Sequence, residues 1–185
     1  MKSQNTMKLA MAGLLTAIGL IIPMFSPVRI LIEPASFTLA SHVAIFIAMF
    51  ISPAVAVSVA AGTTIGFLFG GFPNIVVLRA ATHIIFALVG SLYIHKISRN
   101  SLSFINLRIF SFCIAVIHAV GELVVVSFFY FSGNISPAHI ERGFTMSVLL
   151  LVGLGTVIHS MIDFEIANIT LLALKKQKNL AEELK

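Results

Sequence analysis

Residues 73–95 read PNIVVLRAATHIIFALVGSLYIH, an apolar run that carries an arginine near its beginning. About 20 apolar residues are enough to cross roughly 30 Å of hydrocarbon, so the run has the length of a membrane span. A charge inside hydrocarbon costs about 3 kcal/mol on insertion scales, and by default it marks a functional site. Arg79 and His83 stand four residues apart, which puts both on one face of a helix. The rest of the chain then reads as the bundle that hides this face from lipid.

Composition agrees with that reading. The 185 residues are 58% hydrophobic and 10% charged, with a mean hydropathy of +1.05, well outside the usual soluble range. Phe is abundant, Trp is absent and Tyr occurs twice, so an aromatic belt would be weak. The net charge of +5 sits at segment ends, as expected of cytoplasmic loops, and not on a nucleic-acid-binding surface. Cys113, the lone cysteine, excludes an internal disulfide. Lys8 followed by an apolar stretch imitates a signal peptide, but every later segment is equally membrane-like. It is read as a first span kept in the mature protein.

Outward from the opening stretch, the chain divides into six segments in one membrane domain, 1–185. These are 7–25, 38–52, 54–70, 73–95, 109–131 and 144–174, an all-α integral membrane bundle. The first is rich in small residues, Ala10, Ala12, Gly13, Thr16, Ala17 and Gly19. Such residues at four-residue spacing let a second helix approach closely. Gly13 and Ala17 therefore either pack inside the bundle or present a docking face to another membrane subunit. Residues 26–37, SPVRILIEPASF, read as a loop or a partly buried strand-like connection. The next two segments are short, and read as a tight crossing pair or a re-entrant hairpin. Gly62, Gly66, Gly70 and Gly71 imply close helix contacts there.

Basic residues orient the bundle. Lys2, Lys8, Lys96, Arg99, Arg108, Lys175, Lys176, Lys178 and Lys185 collect on one side, and Arg29 and Arg142 on the other. The richer side is expected to be the cytoplasm, with both termini there.

Depth sorts the buried polar residues, at about 1.5 Å of rise per residue. Counted from Pro73 and Phe131 as outer ends, Arg79, His83, Glu122 and His118 fall about 9, 15, 14 and 20 Å deep. They share a layer that facing helices can converge on one cavity. His159 and Asp163, about 22 and 28 Å below Phe144, fall towards the inner side. With Glu165 and Asn168 they are expected to satisfy the inner end of the bundle or to contact a partner. His42 is expected to be a packing or rim residue.

Three chemistries fit the outer layer. Arg79 and Glu122 can form an ion pair that only fixes helix packing. Arg79 can hold the acidic group of a solute, its planar fork suiting a carboxylate, with Asn74 near the entrance. Histidines would then supply donors and acceptors, and Phe86, Phe128 or Phe131 would cover an aromatic ring. Alternatively His83, His118 and Glu122 offer transition-metal ligands, although a nearby arginine repels a cation. The expectation is no metal and no cofactor. Solute capture requires the guanidinium to face open space instead of being used up within the scaffold. No G-x-S-x-G or H-E-x-x-H occurs, so an enzyme is not expected. A stand-alone permease, a transition-metal uptake protein and a scaffold remain the alternatives from other classes.

Three stretches carry a family likeness: GLLTA (13–17), EPASFTLASHVAIFIAMFISP (33–53) and GTTIGFLFGGFPNIVVLRAATHIIFA (62–87). With six short spans and a proline-containing first outer loop, the chain resembles the S components of energy-coupling factor transporters, and the second and third stretches resemble the niacin-specific members. The resemblance implies capture of a vitamin at the outer face of the bacterial plasma membrane, under the first loop and between the fourth, fifth and sixth helices. It further implies docking through the small-residue face of the first helix, here Ala10, Gly13 and Ala17, onto a transmembrane coupling subunit. Gly13 takes the first place of the family's A-x-x-x-A docking pattern. Two ATP-binding-cassette ATPases on that subunit would use the ATP, and the whole S component would tip over in the membrane to deliver its cargo. Nicotinate, a flat aromatic carboxylate, suits Arg79 as counter-charge. Nicotinamide and a pyridoxine-like vitamin share the flat ring and stay open at this level.

Overall fold

The computed structural model describes residues 2–96 and 104–175. Arg99, Lys176, Lys178 and Lys185, assigned above to the inner side, lie outside them. Helix α1 (Lys2–Phe25) leads into a two-stranded antiparallel hairpin, β1 (Arg29–Ile32) and β2 (Ala35–Thr38), turning at Glu33 and Pro34. The bundle is therefore all-α except for this small sheet, which occupies the strand-like connection. β1 is exposed along its whole length, whereas β2 buries Ala35 and Thr38. Helices α2 (Val43–Met49), α3 (Pro53–Phe69), α4 (Asn74–Ala81), α5 (His83–Lys96), α6 (Phe104–Phe131) and α7 (Pro137–Glu141) follow. A π-helical segment, Thr145–Leu154, then runs directly into α8 (Gly155–Lys175).

Among the described residues, four helical stretches are long and apolar enough to cross a membrane: Thr6–Phe25, Asn74–Lys96, Ile105–Phe131 and Thr145–Leu174. The 17 residues of α3 cover about 25 Å. Residues 38–52 are not one helix. They enter as a strand end, a turn and the seven residues of α2, which cover only about 10 Å.

Local sequence explains the breaks that matter. α3 starts where Ser52 accepts the Val55 N–H at 3.2 Å and Pro53 takes the first helical turn, the preferred chemistry of a helix start. α1 and α3 lie in direct backbone contact: a Cβ on Gly66 would come within 2.4 Å of the Leu20 carbonyl oxygen. The opening stretch is interrupted at Thr82, between Arg79 and His83. Thr82 Oγ1 donates to the Arg79 carbonyl at 2.7 Å, and Thr64 Oγ1 of α3 donates to the Ala80 carbonyl at 3.0 Å. Hydroxyls from the same and neighbouring helices are how a broken membrane helix keeps its carbonyls satisfied.

Two apolar clusters frame a polar layer. Ile45, Phe46, Met49, Phe86, Ile114 and Phe164 build one, and Phe67, Phe72, Val126, Val148 and Val152 build the other. Along α6 the order is Ile114, His118, Glu122, Val126; along the last segment it is Val152, Thr156, His159, Asp163, Phe164. Each helix thus passes its polar side chains between the two clusters.

Candidate functional site

Arg79 comes from the last turn of α4, and its carbonyl-side break at Thr82 starts α5 with His83. Both are buried, as are His118 and Glu122 of α6. Arg79 Nη2 donates to Glu122 Oε2 at 2.7 Å, and Nη1 donates to the Pro34 carbonyl at 2.7 Å. Thr156 Oγ1 of α8 donates to the same Glu122 oxygen at 2.5 Å. The other oxygen, Oε1, lies 3.3 Å from His118 Nε2 and 3.6 Å from His83 Nε2. The four residues expected in one layer do meet, and the ion pair considered above is made.

His42 is not at the rim. It is 4% exposed, and its Nδ1 lies 2.9 Å from Asp163 Oδ2. Its Nε2 faces His83 Nε2 at 3.4 Å, and its ring centre is 4.7 Å from that of His118. The Asp163 carboxylate also accepts the backbone N–H groups of Ala40 and His42, at 2.9 and 3.0 Å. It thereby satisfies donors at the start of α2 that no helix carbonyl can reach, while Ala40 takes a left-handed φ of 66°. The turn 39–42 is wrapped around one carboxylate.

His159 and Asp163 therefore belong to this layer and not to the inner end. The stacked rings of Phe131 and Phe144, 5.2 Å apart, put the end of α6 and the start of the last segment level. Ten residues of π-helix wind more residues into each turn than an α-helix does. They advance less per residue, so depth counted at the α-helical rise is overestimated. Glu165 does separate from the group and pairs with Arg108.

Other expected residues fall elsewhere. Phe86 packs against the rings of His42, His83 and His118. Phe128 and Phe131 are 70% and 75% exposed and cover nothing here. Their place is taken by Phe37 of β2 and Phe67 of α3. The Phe37 ring sits where a Cβ on Gly155 would be, 2.6 Å from its Cζ, which seats the hairpin on α8. Asn74 is exposed and lines a separate recess of about 370 Å³ with Glu33, Pro34, Phe129, Asn134 and Ser136.

Space beside the guanidinium is about 10 Å³, lined by Arg79, His42, His83, His118, Glu122 and His159 among others; that is room for one water-sized occupant, not the open cavity that solute capture at Arg79 was expected to need. Pro34 touches both regions: its carbonyl holds Arg79 and the residue lines the recess. The hairpin turn is the partition between recess and polar layer. Among the described residues, Arg79 Nε, His83 Nδ1 and both ring nitrogens of His118 have no hydrogen-bond partner.

Ala10, Gly13 and Ala17 lie exposed on α1, whereas Leu15 and Gly19 of the same helix are buried against the bundle. Gly13 meets nothing within 4 Å of an added Cβ, while Gly19 would meet Thr63 at 2.5 Å. The small residues of α1 thus split between an inward face and a bare outward one.

No family model and no solved structure matches the chain. Among curated proteins it is similar to "Niacin transporter NiaX" of Lactococcus lactis subsp. cremoris (strain MG1363), 41% identical over 166 residues, which is 90% of this chain and 73% of that protein. A likeness of that depth and coverage makes this a multi-pass protein of the bacterial cell membrane, and the chain belongs to the niacin-transporter family of S components.

Proposed function

We propose that the chain captures nicotinate at the outer face of the membrane and hands it inward when docked on an ATPase-driven coupling subunit. The observation that carries this is the state of Arg79. One arm of the buried guanidinium is held by a carboxylate, the other by the neutral carbonyl of Pro34, and Nε has no partner. Hydrogen bonds between ionised partners are roughly twice as strong as neutral ones. A carboxylate arriving through the outer recess therefore outcompetes the Pro34 carbonyl for Nη1 and engages the unspent Nε as well. The space beside Arg79 is too small for a vitamin, so capture requires the hairpin turn to lift. Its first strand is exposed throughout, so opening would have to release the second strand, where Ala35 and Thr38 are buried, and the Arg79 bond to Pro34. Once inside, the pyridine ring would lie against Phe37 and Phe67, beside the imidazoles of His83 and His118 that Phe86 backs.

Delivery would use the bare face of α1. Ala10, Gly13 and Ala17 allow a partner helix to approach the backbone closely, and the partner would be a transmembrane subunit bearing two ATP-binding-cassette ATPases. The bundle would make six passes with both termini in the cytoplasm, where nine of its basic residues collect. It would carry no ATP of its own and, apart from its vitamin and partner subunits, would contact only lipid. Calorimetric titration of the purified full chain with nicotinate and with nicotinamide tests the reading. Tighter binding of nicotinate is expected, because only it carries the charge. Equal affinity, or no binding of either, would overturn the role given to Arg79.

A further inference from the structure

We propose that His42, His83 and His118, with the Glu122 carboxylate beside them, form a site for a late first-row divalent ion, with zinc as the reference metal. Zinc binds imidazole nitrogen and carboxylate oxygen at about 2.0–2.2 Å in a tetrahedron. Such a tetrahedron has ligand-to-ligand edges of about 3.3–3.6 Å. The observed separations are 3.4 Å for His42 Nε2 to His83 Nε2, 3.3 Å for His118 Nε2 to Glu122 Oε1 and 3.6 Å for His83 Nε2 to Glu122 Oε1. One ligand atom from each of the three histidines lies within 4.8 Å of the other two. Three imidazoles from three elements thus already stand around one ion-sized position, with Glu122 Oε1 beside two of them.

The surroundings fit a metal better than a hydrogen-bond network. Two imidazole nitrogens facing each other share at most one proton, and His118 Nδ1 has no hydrogen-bond partner although the residue is 1% exposed. Asp163 accepts from His42 Nδ1, which fixes the proton there and turns the Nε2 lone pair towards the cluster. A carboxylate behind a ligating histidine is the usual outer support of a metal site. Arg79 and Thr156 both hold Glu122 Oε2, leaving Oε1 to the histidines. The space of about 10 Å³ accepts an ion.

The sequence expectation was that the arginine would repel a cation. Glu122 cancels that charge, and Asp163 leaves the layer with one net negative charge around neutral imidazoles, which favours a divalent ion. Three imidazoles leave the fourth position of a tetrahedron to a water or an exchangeable ligand. The ion would tie the turn before α2 to α5 and α6.

The test uses the full chain purified in detergent without a polyhistidine tag, treated with chelator and free of nicotinate, so that its result stands apart from the nicotinate reading. Zinc titration followed by elemental analysis is expected to give one ion per chain. Cobalt in its place should show the intense visible bands of tetrahedral coordination. His83→Gln and His118→Gln should each weaken zinc by at least roughly 100-fold, more than loss of an outer partner causes, while His159→Gln retains it. Absence of a stoichiometric ion, octahedral cobalt bands in the wild-type chain, or loss of zinc in His159→Gln with retention in His118→Gln would each overturn the site. The cobalt spectrum needs no variant, so the outcome does not depend on the substituted chains folding.

Discussion

The guanidinium of Arg79 and the carboxylate of Glu122 meet at 2.7 Å between α4 and α6, both side chains almost wholly buried. From the sequence alone this pair was one of three chemistries open to the polar layer, and the other two called for the same residues to be free. The geometry removes that conflict. Glu122 takes one arm of the arginine and keeps Oε1 turned to the histidines, while the second arm is spent on a carbonyl of the hairpin turn. An ion pair that fixes helix packing and a site that exchanges a ligand are compatible when the exchange happens on the other arm.

Arg79→Lys is expected to fold and to weaken nicotinate by more than about 1.5 kcal/mol, the low end for a charge-assisted contact, or about tenfold in Kd. The ammonium keeps the charge opposite Glu122 but loses the fork. Arg79→Ala should lose binding too, and should also lower stability by about 3–5 kcal/mol, because it strands a buried carboxylate. Calorimetry with thermal unfolding on the same preparations separates the two effects. Nicotinate affinity unchanged in Arg79→Lys would remove the residue from the binding site.

Asn74→Trp should slow nicotinate association while leaving the unfolding temperature within about 2 °C of wild type, since exposed substitutions change stability little. The indole would occupy the recess that Asn74 lines with Pro34 and Phe129. Rapid-filtration kinetics with labelled vitamin reads the rate. An unchanged association rate would mean that the vitamin enters elsewhere, not past the hairpin turn.

The convergence of Arg79, His83, His118 and Glu122 was legible because α-helical rise, counted along α4, α5 and α6, is close enough to level the four residues even across the break at Thr82. His42 was missed because its place depends on a turn wrapped around a carboxylate 121 residues away, which no local pattern announces. His159 and Asp163 were misplaced by the π-helical winding of residues 145–154. The apolar run there has a negligible periodic bias, so nothing in it signals a change of helix type. The hairpin was half legible: the prolines, Arg29 and Glu33 of SPVRILIEPASF point to a loop or strand-like connection, but not to the Pro34 carbonyl reaching Arg79.

Lowering the pH should loosen α7 and the loop around it. His139, outside the membrane-spanning segments, has its pKa lowered below the ordinary 6.5 by burial and then by the nearby Arg142 charge. The folded form therefore holds neutral imidazole, and the unfolded loop binds the proton more readily. Its contribution is present above the unfolded pKa and is lost as pH falls through the folded one. Hydrogen exchange at residues 137–143 should speed up between pH 7.5 and pH 5 beyond the intrinsic pH effect, and His139→Gln should abolish that excess. Excess exchange persisting in the variant would assign the effect to another group.

Gly13→Leu with Ala17→Leu should leave nicotinate binding intact and abolish ATP-driven uptake in vesicles holding the coupling subunit and its ATPases. Both positions lie on the exposed face of α1, and Gly13 has open space around it, so the larger side chains meet nothing in the bundle and obstruct only what docks from outside. Gly66→Ala supplies the contrast. There an added Cβ runs within 2.4 Å of the Leu20 carbonyl oxygen, backbone that cannot move aside, so α1 must part from α3 and both binding and uptake should fall with stability. Uptake that survives the two leucines would show that the partner docks on some other surface. Loss of binding along with uptake would show that the outward face of α1 supports the bundle itself.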